Sequence, residues 1–231
     1  AHEEGRWVRE AALAYAEKVE NLDFLALTDH SNYFDSTTNL ATFDNPNSGL
    51  MSTVKPEMSK WAYYKSLFDD YTKEDFLAIY GYEMTWSGGP GHINTFNSDG
   101  IVSRNNPTLN TKNGVGLKAY YELFKTQPNA FSQFNHPGST FGTFDDFAYN
   151  DPAIDNEINL IEVGNGEGPV GASGYFPSYQ YYTQALDKGW HLAPSNGQDN
   201  HKGNWGSANT TRTVVLADSL TLGSLREAIE N

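Results

Sequence analysis

The 231-residue chain is 38% hydrophobic and 14% aromatic, which is enough for one sizeable core and typical of a single domain. Its net charge of −14 excludes non-specific binding to nucleic acid or to an anionic membrane surface, because neither polyanion attracts an acidic protein. The lack of cysteine excludes disulfides and thiolate-bound metals, so any metal must use imidazole and carboxylate, and no apolar run reaches the roughly 18 residues of a membrane span.

The chain opens with a predicted amphipathic helix over residues 5–20, followed directly by a buried strand. The apolar side chains of the helix recur at helical spacing and comprise Trp7, Val8, Ala11, Ala12, Tyr15 and Val19. The strand is an apolar run over 24–27 that ends abruptly in Thr28-Asp29-His30. In barrel-like α/β folds, residues at the carboxyl end of such a strand point into the site.

Four later apolar runs also end in reactive side chains. The run 76–80 leads to Glu83, 131–134 to His136, 158–161 to Glu162, and 190–194 to Asp199 and His201. Further strands are predicted at 92–96 and 212–217, and further helices at 56–72, 114–126, 178–188 and from Ser219 or Thr221 onward. This alternation predicts a parallel barrel or a doubly wound sheet, and the barrel is favoured because scattered strand ends meet at one barrel face.

The residue types at this face predict a metal site. Four neutral nitrogen donors and two carboxylates suit zinc, manganese or iron better than calcium, and they are His30, Glu83, His92, His136, Asp199 and His201. Six ligands are enough for more than one ion, and a bridging carboxylate would hold a hydroxide nucleophile beside a phosphoryl oxygen. A lone histidine is more often structural, but four of the six histidines lie at strand ends or in adjoining polar loops.

Four other residues have weaker assignments. His191 lies inside a predicted strand and His2 in a leading segment without a nearby ligand, so both are assigned structural roles. Glu162 ends a strand and either faces the site or pairs with a loop amide. Arg212 opens a strand and is the best nearby cation for a substrate phosphate, with a surface ion pair as its alternative.

Several of these motifs resemble a known family. In chain order, Thr28-Asp29-His30, Gly81-Tyr82-Glu83, Gly91-His92-Ile93-Asn94, Asn135-His136-Pro137 and Asp199-Asn200-His201 are similar to the successive metal motifs of the PHP (polymerase and histidinol phosphatase) superfamily. The surroundings of Glu83 and of residues 196–203 are closer to the branch that includes the carbaryl hydrolases, which are often secreted bacterial proteins. The resemblance covers nearly the whole chain.

The resemblance implies a distorted (β/α)7 barrel with a hydrolytic site for one to three divalent ions, in a soluble secreted or cell-surface bacterial protein. Carried over by position, Glu83 would bridge two ions, one of them completed by His92 and His136. Asp199 would help to hold the other bridged ion, and His30 and His201 would share a third.

One departure concerns the start of the barrel. The family opens with a strand that ends in a His-x-His pair, and here nothing precedes His2. Because the helix at 5–20 is aligned where the family has one, we expect residues 1–231 to be a single metallohydrolase domain that lacks its first strand, is trimmed at both ends and belongs to a larger protein.

The functional hypothesis is hydrolysis of a small phosphoester by a metal-bound hydroxide, with Arg212 or His201 stabilising the developing charge. A carboxylic ester or carbamate is an alternative substrate, and the loops 31–53 and 139–157 would shape the pocket that decides between them. A retaining glycosidase using Glu83 and Glu162 is a second alternative, although it leaves four histidines unexplained. A non-catalytic module of a larger surface protein is the third.

Overall fold

The computed structural model describes residues 4–110 and 114–231, with side chains from residue 9 onward, so His2 and the side chains of Trp7 and Val8 lie outside the described part. The strands are β1 (Phe24–His30), β2 (Leu77–Thr85), β3 (His92–Phe96), β4 (Phe131–Asn135), β5 (Ile158–Asn165), β6 (Phe176–Pro177) and β7 (Ala193–Gly197). The helices are α1 (Glu4–Lys18), α2 (Lys60–Tyr71), α3 (Gly114–Phe124), α4 (Phe144–Phe147), α5 (Pro152–Asp155), α6 (Tyr179–Asp187) and α7 (Leu222–Glu230), and a 3-10 helix spans Ser31–Phe34.

All seven strands form one mixed sheet that curls into a half-barrel. β1 is parallel to β2, and β5 is parallel to both β4 and β7. β3 is antiparallel to β2 and β4, and the short β6 is antiparallel to β5. β3 follows β2 without an intervening helix, so the described sheet departs from strict alternation and the complete (β/α)7 layout stays a prediction.

The two faces of the sheet have separate apolar cores. On β2, Ala78 and Tyr82 point outward into a large core that includes side chains of α1, α2, α3 and α6. The alternate residues Leu77 and Ile79 point inward and pack with Leu225 of α7. Since Glu83 continues this inward series, its carboxylate lies on the inner face at the carboxyl end of the strand, away from α7.

Some predicted bounds differ from those observed. α2 begins at Lys60, because Ser59 is its N-cap and accepts a hydrogen bond from the Ala62 N–H, and not at Pro56. Residues 212–217 form no strand, and Val214 and Leu216 are 79% and 92% exposed. Thr221, one of the two residues predicted to cap α7, is its N-cap. None of the helices in the described ranges is long and apolar enough to cross a membrane.

Candidate metal centre

Strand register brings Glu83, His92 and His30 together. The pairing of β1 with β2 sets His30 beside Glu83, and the pairing of β2 with β3 sets His92 opposite Thr85, two residues beyond Glu83 on the same face. These contacts join residues of separate strands, because the register sets the carboxyl ends of β1 and β2 beside the amino end of the antiparallel β3.

His136 lies directly after β4 and also contacts Glu83. β4 ends at Asn135, and regular alternation would turn the next side chain to the outer face. His136 instead has φ 25°, in the left-handed region that non-glycine residues seldom occupy. This conformation breaks the alternation and leaves the buried imidazole 3.3 Å from Glu83, measured from Nε2 to Oε1.

The Glu83 carboxylate has an imidazole at each of its two oxygens. Oε1 lies 3.5 Å from His92 Nδ1 and 3.3 Å from His136 Nε2, whereas Oε2 lies 3.3 Å from His30 Nε2. Donor atoms of Glu83, His92 and His136 all lie within 4.8 Å of one another, and among the described residues this is the only such group of three or more candidate ligands. One carboxylate and two imidazoles could hold a single divalent ion with further positions open.

Burial and hydrogen bonding compete at these groups. Glu83 is only 6% exposed, and although burial alone would raise its pKa, the hydrogen bonds with His136 and His92 hold that pKa well below its usual range. Burial lowers the pKa of His30, against the attraction of Glu83. Burial would also lower the pKa of His136, but the hydrogen bond to Glu83 and the charge of Glu162 raise it. The site therefore contains an ionised carboxylate.

Glu162 binds the backbone of His136. Its Oε2 accepts hydrogen bonds from the His136 backbone N–H at 2.6 Å and from Asn165 Nδ2 at 2.9 Å. Burial raises its pKa to about 7, opposed by the charge of His136 and by these hydrogen bonds. Glu162 therefore stabilises the unusual backbone of His136, which combines the two alternatives that the sequence left open.

A chain of amides also orients the Glu83 carboxylate. Asn135 Nδ2 donates to Glu83 Oε1 at 2.8 Å, Gln133 donates to Asn135 at 2.9 Å, and Ser195 donates to Gln133 at 2.7 Å. The sequence prediction assigned no role to Asn135, Gln133 or Ser195. The alternation of residues 131–135 could have identified Gln133 and Asn135, because alternate residues of a strand share one face and both lie on the inward face with Glu83.

Asp199 and His201 lie in an exposed loop and make no contact with the Glu83 group. His201 Nδ1 lies 2.6 Å from the Asp199 carbonyl oxygen, and the His201 N–H donates to Glu167. The charge of Asp199 nevertheless opposes the lowering of the His30 pKa by burial and adds to the raising of the His136 pKa, in each case as the smallest of the contributions. The structure thus brings four of the six predicted ligands together and places the other two at the rim.

Arg212 and His191 are engaged elsewhere. Arg212 Nη2 lies 3.2 Å from Glu20 Oε2, and its Nη1 donates to the carbonyl oxygens of Asn209 and Thr211. This is the surface ion pair that the sequence left as its alternative. His191 Nδ1 lies 2.6 Å from Asp155 Oδ2 at the surface.

Two exposed aromatic rings and a cavity flank the histidines. Tyr33 stacks on His30 at 5.5 Å between ring centroids, and Phe141 lies 5.0 Å from His92 and 4.4 Å from His136. A cavity of about 310 Å³ is lined by His92, Phe141 and Arg104 among others. A larger cavity of about 600 Å³ lies at the other end of β2, against residues 219–222, and contains none of the candidate ligands.

The fold is similar to one solved structure in particular. It is a two-domain protein from Bacteroides vulgatus ATCC 8482 that contains a predicted PHP-like metal-dependent phosphoesterase, with a TM-score of 0.53 and 23% sequence identity. The match covers 98% of this chain and 57% of that one, so this chain spans little more than half of its length. No family model and no curated protein matches the chain. At this identity the likeness shows the fold alone, a curled mixed sheet that is compatible with a PHP-like barrel; the carbaryl-hydrolase branch, the single domain and secretion stay predictions.

Proposed function

We propose that the chain is a metal-dependent hydrolase of phosphoesters, with Glu83, His92 and His136 as ligands of one divalent ion. The observation that carries this proposal is the buried, ionised Glu83 carboxylate in contact with imidazoles at the carboxyl end of the sheet. The fold shared with the Bacteroides vulgatus protein, which contains a predicted PHP-like metal-dependent phosphoesterase, supports the same reaction class.

The donor set suits zinc, manganese or iron, and we propose one to three ions. Glu83 is suited to bridge two of them, since its Oε1 faces His92 and His136 whereas its Oε2 faces His30. Asp199 and His201 are the further ligands in this proposal.

The protein's own groups hold the reaction geometry. A divalent ion bound here supplies Lewis acidity to a phosphoryl oxygen and lowers the pKa of water. Asn135 fixes the orientation of the Glu83 carboxylate, and Glu162 fixes the backbone of His136.

The test is metal content and turnover of 4-nitrophenyl phosphate in Glu83→Gln and His136→Ala. We expect both variants to lose bound metal, measured by plasma mass spectrometry, and to lose hydrolysis by about 100-fold or more, because each removes a ligand of the same ion. Glu57→Gln removes an exposed carboxylate and serves as the matched control. Full metal content and full activity in both site variants would contradict the proposal.

The alternative substrates are separated by turnover of an aryl phosphate beside an aryl carbamate, since the phosphoesterase proposal expects faster turnover of the phosphate. The structure gives the glycosidase alternative little support, because Glu162 is buried and its Oε2 binds the His136 N–H and Asn165. A protein that binds metal but hydrolyses neither ester would support the non-catalytic alternative.

A further inference from the structure

Arg104 is a cation without a carboxylate partner. In the described ranges Arg9, Arg212 and Arg226 each form an ion pair, whereas Arg104 forms none. Its Nη1 instead donates to Thr85 Oγ1 at 2.9 Å. In a chain with a net charge of −14, an unpaired guanidinium held by a neutral hydroxyl keeps its charge available for an anion from outside.

The hydrogen bond to Thr85 places the Arg104 guanidinium beside the Glu83 group. Thr85 follows Glu83 by two residues on β2, so the two side chains share the inner face about 7 Å apart. The Arg104 backbone N–H also donates to Ser31 Oγ, which ties its loop to the residue after His30. The positive charge of Arg104 acts at the site, since it lowers the pKa of His30 in addition to the larger effect of burial.

Phe141 supplies an apolar wall to the same space. Its ring lies over His92 and His136 and is 43% exposed. Phe141, Arg104 and His92 line the cavity of about 310 Å³, a volume at the lower end of the range for small-molecule sites. The cavity therefore offers an unpaired cation and an exposed aromatic surface next to the candidate metal ligands.

We infer that Arg104 and Phe141 form the substrate subsite and select a phosphate monoester of an aromatic alcohol. The Arg104 guanidinium binds a phosphoryl oxygen, and Phe141 contacts the aromatic leaving group. This inference rests on the proposed phosphoesterase function, and it assigns the anion to Arg104 in place of Arg212, whose guanidinium is bound to Glu20.

The first experiment measures binding of inorganic phosphate by isothermal titration calorimetry, to metal-loaded and to chelator-treated protein. Arg104→Gln is expected to weaken binding by about 10- to 100-fold, because a charge-assisted hydrogen bond is lost. Arg104→Lys keeps the charge and is expected to recover part of the affinity. Lys55→Gln removes one exposed positive charge and is the control.

The second experiment compares substrates on the metal-loaded protein. Arg104→Gln is expected to lower kcat/KM for 4-nitrophenyl phosphate by about 10- to 100-fold, and to lower that for the neutral 4-nitrophenyl acetate by a smaller factor, because only the phosphate carries a negative charge in the ground state. Phe141→Ala is expected to raise KM for 4-nitrophenyl phosphate and not for methyl phosphate, since only the former carries an aromatic group.

The outcomes separate the two proposals. Arg104-dependent phosphate binding in a wild-type protein that hydrolyses no ester would sink the phosphoesterase function and keep the anion subsite. Equal phosphate affinity in wild type and Arg104→Gln, with equal metal content, would overturn the subsite whatever the activity. No phosphate binding by the wild-type protein would overturn it as well. If Arg104→Gln does not fold, Arg104→Lys tests the role of charge. Complete loss of phosphate affinity in folded Arg104→Lys would contradict that role. Phe141→Ala is expected to keep its affinity for inorganic phosphate, which carries no aromatic group.

Discussion

Neighbouring imidazoles and an amide compensate the charge of the buried Glu83 carboxylate. Removing a charge from water is costly unless it is paired and hydrogen-bonded. Here His30, His92, His136 and the Asn135 amide surround both carboxylate oxygens, so the ionised form is favoured despite burial. The same compensation preorganises the donors that a divalent ion requires.

Glu157, remote from the site, gives a residue-scale prediction about pH. Burial raises its pKa to about 7 from 4.5, against the opposing charge of Arg226 and with a contribution from Glu230. Because the folded state holds this proton more tightly than the unfolded chain, its contribution to stability is complete below pH 4.5 and is lost as the pH rises through 7. Glu157→Gln should therefore raise the free energy of unfolding near pH 8 by about 1 to 3 kcal/mol.

Urea denaturation near pH 5 and near pH 8 measures this effect. The pH dependence should be smaller in Glu157→Gln than in the wild type. Glu227→Gln, which removes an exposed carboxylate from α7, is the control and should follow the wild type. An identical pH dependence in Glu157→Gln and wild type would show that the Glu157 carboxyl does not hold its proton in the folded state.

At the scale of elements, α7 covers the inner face opposite the candidate site. Leu225 is 5% exposed and packs with Leu77, Ile79 and the other inner-face side chains. Leu225→Ala should lower the free energy of unfolding by about 2 to 4 kcal/mol, because it leaves a cavity in this smaller core. Denaturant unfolding measures the change.

Leu216→Ala is the matched control for α7, since it makes the same change at a side chain that is 92% exposed. It should change stability little. The metal content of folded Leu225→Ala should equal that of the wild type, because α7 contacts the opposite end of the sheet. Equal destabilisation by the two substitutions would mean that residues 212–217 are covered in solution.

At the scale of the molecule, the proposed ion would link three neighbouring strands. Glu83 comes from β2, His92 from β3 and His136 directly follows β4, an arrangement that an unfolded chain does not hold. Binding should therefore stabilise the fold, by about 2.7 kcal/mol when free metal is at 100 times Kd. Thermal unfolding with zinc or manganese, and after chelation, measures the shift in Tm.

Glu83→Gln tests whether this stabilisation belongs to the site. Its Tm should not respond to added metal, whereas that of Glu57→Gln should rise as in the wild type. A wild-type Tm that is the same with metal and with chelator would count against a metal that binds only the folded protein.

Local sequence patterns predicted much of this architecture. Apolar runs that lead into polar residues located β1, β2, β4 and β5, although β2 and β5 continue to Thr85 and Asn165, beyond their predicted ends at Glu83 and Glu162. The candidate ligands Glu83, His92 and His136 lie on or directly after β2, β3 and β4. Their proximity is observed, and their binding of metal stays a proposal. The predicted strand at 212–217 was wrong, because alternation creates a strand only where a neighbouring backbone completes its hydrogen bonds.

The sequence by itself determined the α/β class and the histidine and carboxylate side chains that follow the apolar runs, because periodicity and residue chemistry are local properties. Only the tertiary structure decided which of those side chains meet. Register and the left-handed backbone of His136 gather three of them, His30, His92 and His136, around Glu83, while Asp199 and His201 lie in an exposed loop. The ion pair of Arg212 with Glu20 and the hydrogen bond of Arg104 to Thr85 were equally unpredictable, since contacts between distant segments leave no periodic signal in the chain.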